Sequence, residues 1–311
     1  MNKEFINKIN VNVVIEKFQN DVSSISGKND FEIDKVCSFN YPSDNSLIWI
    51  GKGFFLSDLD KIKSLKNCLI LTDIEVETTS LDSVCIIKTK KPKLLFIKLL
   101  NFLFPENRVI GIHASAVVHP EAQIGKEVSI GANCTIGKVI IDDRSIIEPN
   151  VTIYDNVEIG KNVKIQAGAV IGSGGMSLSR DENDELIGFP CLGKVVIEDN
   201  VEIGSNSVID QSIIEETRIG KGTKINSSSF IGNSVVIGSN NYISVVVNIN
   251  GSVKIGNNNF IGSGSTIRNK VEIGNENTVG AGAVVVKNVS NNQTIIGNPG
   301  KPKEDVFGIK L

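Results

Sequence analysis

Histidine is almost missing from this chain: its 311 residues contain two, His113 and His119, with one tryptophan, two methionines and 5% aromatic residues. Two histidines cannot supply a three-histidine zinc centre. The five cysteines, Cys37, Cys68, Cys85, Cys134 and Cys191, are odd in number and lack any Cys-x-x-Cys or Cys/His ligand spacing. A reduced chain without a structural metal is expected. Missing too is any run near the roughly 20 apolar residues of a membrane span. The start, Met1-Asn2-Lys3-Glu4-Phe5, leads into mixed polar sequence and not into an apolar signal core. A cytoplasmic location is the expectation. The formal net charge of −3 gives no broad attraction to nucleic acid or anionic membrane, so the expected partners are small molecules. Few aromatics with 29 glycines suit narrow coils and tight corners better than a core filled by large rings.

What is present is a period. Ile219, Ile225, Ile231, Ile237, Ile243, Ile249, Ile255, Ile261, Ile267, Ile273, Val279 and Val285 follow one another at an unbroken interval of six residues. Six is no multiple of the 3.6 of a helix, and the pattern is not the simple alternation of an ordinary strand. It is the interval of a parallel β-helix in which each hexad gives one short strand and one corner, and three hexads close a turn. Asn241, Asn259 and Asn277, spaced by eighteen, add the period of a full turn. They are expected to tolerate left-handed corners and to form ladders between coils. Gly238, Gly256 and Gly274 share that spacing and are expected at corners. Cys134, two residues before Ile136, falls where the coil interior takes a small side chain, which makes packing its expected role.

Residues 1–105 show no hexads and read as a small α/β domain, closing with an apolar helix from Pro92 to Phe104 that joins the two parts. Lysines 88, 90, 91 and 93 raise a membrane-surface reading of that helix. They lie to one side of the run and not along a polar face, so packing on a domain is preferred. The hexads occupy 106–288, beginning at Ile112, slipping by one residue to Ile141 and breaking across 172–196, where Gly, Asp, Glu, Asn and Pro dominate. A loop that leaves and rejoins one column is placed to cover a cleft. The coils resume at Ile197 and Ile203, and Ile209 is followed by a ten-residue step to Ile219. Residues 289–311 read as a tail. The expected fold is mainly β: a left-handed parallel β-helix preceded by a small α/β domain.

These parts resemble the UDP-3-O-acylglucosamine N-acyltransferases of lipid A synthesis over nearly the whole chain. The resemblance rests on Leu94 to Pro105 followed by Gly111-Ile112-His113-Ala114-Ser115-Ala116, on Ile165-Gln166-Ala167-Gly168-Ala169-Val170-Ile171-Gly172-Ser173-Gly174-Gly175, on Leu192 to Asn206, and on the ten-residue step at Val208-Ile209-Asp210. It implies a uridine-binding first domain, a homotrimer with clefts between neighbouring columns, and an acyl thioester as co-substrate, with no tightly bound cofactor. The departures are equally specific. Where that family carries its catalytic histidine this chain has Asn233, and where it carries a second active-site histidine stands Lys270. The loop's Pro-Gln or Pro-His becomes Pro190-Cys191, and the uracil-stacking run is replaced by Leu47 to Phe54, leaving Trp49 or Phe54 to stack a base. His119 cannot substitute for the lost imidazole, because about five coils, on the order of 24 Å, separate it from Asn233. A threefold axis parallel to the column keeps equal coils at equal height, so assembly does not help.

N-acylation without an imidazole forfeits a general base worth about 10²–10⁴-fold, while positioning retains roughly 7–11 kcal/mol in good cases. Asn233 would orient a partly neutral sugar amine through its side-chain oxygen, or else merely fill a corner. Asp210 would take the proton or hold the sugar, or else cap the irregular step. Gly174 and Gly175 would admit backbone N–H groups to a phosphate, and Lys270 would meet a donor phosphate or stay solvated. Val279 to Val285 and the ending Gly297-Asn298-Pro299-Gly300-Lys301 resemble coenzyme A-dependent sugar acetyltransferases, some of which dispense with a histidine base. That resemblance implies a pantetheine arm along Gly262, Gly280 and Ala281, with Lys301 at the nucleotide phosphates; closure of the last coil also suits small residues. The expectation is an N-acyltransferase acting with acetyl-CoA on a nucleotide-linked amino sugar. Its rivals are the lipid A reaction itself, with a 3-hydroxyacyl carrier protein as donor, and a catalytically silent sugar-nucleotide-binding paralogue.

Overall fold

The computed structural model describes residues 3–51, 65–74, 83–105, 108–299 and 301–302. Its contacts divide the chain into two units, residues 1–107 and 108–311. In the first, a six-stranded sheet runs in the order Lys3–Asn10, Glu32–Val36, Ser46–Ile50, Cys68–Thr72, Val84–Lys88, Ser24–Gly27. The four inner strands are parallel and the two outer ones antiparallel to their neighbours. Ser46–Ile50 and Cys68–Thr72 are nearly continuous buried runs, as strands covered on both faces must be. Helix α1 (Val11–Lys17) and helix α2 (Pro92–Leu103) cover one face, where Val11, Val14, Leu95 and Leu99 pack on Ile33, Leu47, Leu69 and Leu71. Cys37, Phe39, Ile48, Ile50, Ile70 and Ile86 form the opposite core. The apolar helix that closes this domain in sequence therefore spends its apolar stripe on its own sheet.

The second unit is a left-handed parallel β-helix with three flat faces. The first face stacks pairs from Gly111–Ile112 to Thr278–Val279, the second from Val117–Val118 to Val284–Val285, the third from Gln123–Ile124 to Glu272–Ile273. Strand alternation sends the hexad residue and the one two places earlier inward, as in Val157, Glu158 and Ile159, buried, half-exposed and buried. One column of isoleucine and valine fills the prism. The Ile136-to-Ile141 slip is absorbed at a corner: Ile140–Ile141 pairs in register with Gln123–Ile124 below and Glu158–Ile159 above.

The asparagine ladder exists, but facing inward. Asn241, Asn259 and Asn277 are buried. Asn241 Oδ1 accepts the Asn259 N–H at 2.8 Å, Asn259 Oδ1 accepts that of Asn277 at 2.8 Å, and Asn277 Oδ1 accepts that of Gln293 at 2.7 Å. Thr223 starts the series by accepting from the Asn241 N–H. The left-handed residue of each of these corners is the one before, with φ of 55° at Asn240, 58° at Asn258 and 59° at Glu276. The three glycines also differ from expectation, since Gly238, Gly256 and Gly274 are not among the left-handed residues. A Cβ on Gly238 would stand 2.6 Å from Gly256 O, and one on Gly256 2.7 Å from Gly274 O. Coil-to-coil approach selects glycine there.

Corners on the edge between the first and second faces place Asn133, Asn150, Gly168, Asn206, Ser228, Val246, Gly264 and Gly282 at positive φ. Val246, at 57° and 53% exposed, is the β-branched exception, and its side chain gains too little burial to offset the strain. The left-handed conformation costs an ordinary side chain about 1–2 kcal/mol. Val246→Asn should raise stability by about 1 kcal/mol, read as a higher thermal midpoint; an unchanged or lower midpoint would show that Val246 is relaxed. Asn259→Ala should cost about 1–3 kcal/mol by orphaning the buried Asn277 N–H, and a loss under a few tenths in chemical denaturation would remove the ladder from the account.

Candidate functional site

Both interruptions of the hexads fall on one edge of the prism. The excursion leaves the second face after Ile171 and rejoins the third at Lys194–Ile197, and the ten-residue step leaves the second face at Val208–Gln211 one coil later. Asn233 turns the same corner in the next coil, after Phe230–Ile231. Within the excursion, Leu178–Arg180 and Leu186–Gly188 pair as an antiparallel hairpin that returns the chain to Cys191.

The side chains converge on a glycine. A Cβ on Gly175 would lie 3.0 Å from Asn233 Cβ and 3.3 Å from Asp210 Oδ2, so only glycine lets the loop sit against both. Asp210 is 8% exposed, and its Oδ1 accepts a hydrogen bond of 2.9 Å from the Ser173 hydroxyl. Its Oδ2 faces Gly175 without a partner among the described residues. Burial pushes the Asp210 carboxyl above the ordinary aspartate range, and the Ser173 hydrogen bond opposes that only in part. Asn233 is half-buried, and its carboxamide makes no hydrogen bond among the described residues. Left-handed geometry does not explain it either, because the corner's positive-φ residue is Ser234. Its Oδ1 lies over the next coil at Gly251, where a Cβ would come within 2.7 Å. Cys191 donates its thiol proton to Gly175 O at 3.3 Å, and it alone among the five cysteines is not buried.

Of the residues singled out in sequence, Asn233, Asp210, Gly174 and Gly175 thus come together. Lys270 is exposed on the same edge, two coils beyond the Ser234 position and about 10 Å along it. Gly262, Gly280 and Ala281 lie on a different edge, between the first and second faces, where a Cβ on Gly262 would meet Ala281 N at 2.7 Å. The Lys301 backbone pairs with Ile296, and its side chain lies outside the described residues, as does Phe54. Trp49 belongs to the first unit, where it lines a cavity of about 410 Å³ with Asp73, Pro92, Leu94 and Ile97. His113 Nδ1 contacts the Ser115 hydroxyl at 3.0 Å, and His119 Nδ1 accepts the Glu121 N–H at 3.1 Å, so both rings serve local turns. Ser173 and Gly251 were not singled out, and Cys191 was noted only as the residue after the loop's Pro190, because the eighteen-residue register lapses where the loop departs: Ser173 meets Asp210 only across a register shift after Ile171.

The raised Asp210 carboxyl has a stability consequence. The folded chain holds this proton more tightly than the unfolded chain, so stability falls as pH rises from the ordinary aspartate pKa through the raised one, and stays lowered above it. Asp210→Asn should therefore raise the thermal midpoint at neutral pH, with the gain shrinking toward zero in acid. A gain that grows in acid would reverse the assignment.

Residues 138–173 and 252–287 match the bacterial transferase hexapeptide (six repeats), and 194–225 match the hexapeptide repeat of succinyl-transferase. Over 78 residues the chain is 42% identical to UDP-3-O-acylglucosamine N-acyltransferase of Coxiella burnetii, a match covering 25% of this chain and 23% of that protein. It is 44% identical over 78 residues to the protein of that name from Francisella tularensis subsp. holarctica, with the same coverage. Under a quarter of these relatives' length is therefore spanned. Among solved structures, UDP-N-acetylglucosamine acyltransferase of Francisella novicida superposes with a TM-score of 0.57 at 29% identity, covering 62% of this chain and 69% of that one. The acyltransferase of Bacteroides fragilis gives 0.57 at 23% identity over 62% and 74%, a likeness of fold alone. The stretches that match the hexapeptide-repeat models lie in the three-faced coil, and the solved acyltransferases share its fold.

Proposed function

We propose that the chain is an N-acyltransferase that moves an acyl group, acetyl in the first instance, from coenzyme A to the amine of a nucleotide-linked amino sugar. The observation that carries this reading is the meeting of a free carboxamide and a buried carboxylate at Gly175, on the edge where the loop leaves the coil. His119 stands five coils away on the same edge, so an imidazole has no part in it. Asn233 Oδ1 accepts a hydrogen bond from the amine and directs its lone pair at the thioester carbonyl. Asp210 takes the proton released as the amide forms. A carboxylate destabilised by burial is the better base, its pKa lying closer to working pH.

Two features support the remaining parts. Gly262, Gly280 and Ala281 occupy another edge of the prism, two to three coils beyond Asn233, or about 10–15 Å along the column. Edges of one prism act at one site only across a subunit boundary, which favours a homotrimer, and that separation suits an extended pantetheine arm. The cavity at Trp49 offers a flat indole wall with Lys91 and Lys93 at its border, as a nucleotide base with its phosphates requires. The setting is the cytoplasm, in synthesis of a surface polysaccharide.

A second reading follows from the curated relatives, whose name specifies UDP-3-O-acylglucosamine as acceptor. It keeps that acceptor and draws its acyl group from a carrier protein. Release of free thiol from acetyl-CoA, measured with UDP-, dTDP- and GDP-linked amino sugars, separates the two. Turnover is expected with coenzyme A, and Asn233→Ala should lower kcat/KM roughly tenfold or more, a hydrogen bond's worth, with fold and assembly intact. Turnover only with 3-hydroxyacyl carrier protein would favour the second reading, and nucleotide binding without turnover of any donor would make the chain a silent paralogue.

A further inference from the structure

The cavity of the first unit, about 410 Å³, falls within the roughly 300–1,000 Å³ of small-molecule sites. Trp49 and Asp73 line it at the carboxyl ends of the parallel strands Ser46–Ile50 and Cys68–Thr72. Ligands of open α/β sheets bind outside those ends. Parallel register pairs Ile50 with Thr72, so Trp49 and Asp73 stand on either side of one row of the sheet. Both carry a buried polar atom with no hydrogen-bond partner among the described residues, Nε1 of the indole and Oδ1 of the carboxylate. An indole N–H can only donate and a carboxylate oxygen can only accept. Leaving such groups unmade is costly, and a ligand that supplies both partners removes the cost. Pro92, Leu94 and Ile97 add an apolar wall. Helix α2 starts at the same place with no side chain capping its first turn, and Lys91 and Lys93 beside it form no ion pair among the described residues. A helix start flanked by two such lysines favours phosphate.

We infer that this cavity selects guanine, and that the nucleotide carried by the amino sugar is guanosine diphosphate. This rests on the acyl-transfer reading above and narrows its acceptor. A carboxylate selects a base edge that carries adjacent N–H groups, because it has nothing to donate. Guanine alone of the common bases has that edge, at N1 and N2, and can meet Asp73 with two parallel charge-assisted hydrogen bonds. Adenine and cytosine set their amino group beside a ring nitrogen that accepts. Uracil and thymine set a carbonyl on each side of their single N–H, and those oxygens would face the carboxylate with like partial charge. The uridine that the lipid A resemblance implies is therefore the wrong partner for Asp73. Guanine O6, next to N1, accepts from the Trp49 indole, which meets the base at its N–H edge. That indole packs on Phe96, ring centroids 6.1 Å apart and planes inclined by 34°, so the donor is fixed in advance. The diphosphate lies toward the uncapped first turn of helix α2, where Lys91 and Lys93 meet its charge. A base that satisfies neither Trp49 nor Asp73 leaves both unpaired, the circumstance in which a site discriminates most strongly.

Trp49 is the chain's single tryptophan, so its fluorescence reports on this cavity directly. The full-length protein is titrated with the diphosphates of guanosine, inosine, uridine, thymidine and adenosine, and with pyrophosphate, by fluorescence and by calorimetry. Guanosine diphosphate should quench Trp49 and bind at least roughly tenfold more tightly than the uridine and thymidine compounds. Inosine diphosphate, which lacks the N2 amine, should bind roughly tenfold more weakly than guanosine diphosphate, the effect of one charge-assisted hydrogen bond. Asp73→Asn should erase the preference for guanine and gain affinity for xanthosine diphosphate, whose C2 carbonyl accepts from the new amide; a gain of binding also shows that the variant is folded. Equal or tighter binding of uridine diphosphate, a guanine preference unchanged in Asp73→Asn, pyrophosphate bound as tightly as guanosine diphosphate, or no nucleotide bound at all overturns the assignment. Guanine selectivity with no thiol released from acetyl-CoA in the presence of a GDP-linked amino sugar upholds the assignment and sinks the acyl-transfer reading. Turnover with UDP- or dTDP-linked amino sugars alone does the reverse.

Discussion

Every coil of this protein takes its backbone hydrogen bonds from the coil beside it. A run such as Lys224 N to Asn241 O, Tyr242 N to Asn259 O and Phe260 N to Asn277 O repeats up the column at 2.8–2.9 Å. Eighteen residues therefore separate spatial neighbours, and whatever is true of one residue constrains those above and below it. The isoleucine stack is one consequence, since a different width in any coil would break the ladder on three faces. The inward asparagines are another: each oxygen takes the next coil's N–H, while Asn241 Nδ2 reaches Gly256 O at 2.8 Å, Asn259 Nδ2 reaches Asn241 Oδ1 at 2.9 Å, and Asn277 Nδ2 at the end of the ladder is buried with no partner among the described residues. Glycine at 238, 256 and 274 is a third, chosen by the nearness of the coil above.

Chemistry enters where that constraint is released. The excursion and the ten-residue step lie in successive coils on a single edge, and the register shift between them lets Ser173 meet Asp210 in place of the regular partner. A carboxylate is buried there, at a cost that an unbroken coil would have no reason to bear. Above it stands a carboxamide without a partner among the described residues, and beside it a thiol brought in by the loop. The regular parts of the prism hold these groups still: Asn233 O accepts the Ser252 N–H at 2.9 Å and Ser234 N donates to Thr217 Oγ1 at 2.9 Å, so the corner that carries the carboxamide is fixed from above and below.

The legible portion of the site was the portion that keeps the period. Counting hexads finds the two breaks and the Gly174–Gly175 pair beside the first, while Asn233 and Asp210 were singled out by the resemblance that sets them where the lipid A family carries active-site residues. The meeting of Ser173 with Asp210 and the place of Cys191 were not legible, because residues inside a loop have no register, and only the hairpin of Leu178–Arg180 with Leu186–Gly188 sets where Cys191 returns. The asparagine ladder was legible as a ladder, yet its place in the corner was off by one. Residues 240 and 241 are both asparagine, and no rule of composition says which turns left-handed and which turns inward. The exposed, left-handed Val246 gave no sign at all, since valine at a corner position looks like any apolar residue in a repeat.

The sequence by itself determined the architecture: an apolar residue every sixth place and a full turn every eighteenth leave one geometry in which all of those side chains are buried together. Tertiary structure alone decided which groups meet across coils that do not pair in register. It also decided that the carboxylate of Asp210 is desolvated and that the glycines facing Asn233 and Asp210 are there for room. The division has a physical reason. Burial of a periodic stripe is a sum over many equivalent residues and can be read from spacing, whereas a contact between a loop and a corner depends on one path through space that no spacing encodes.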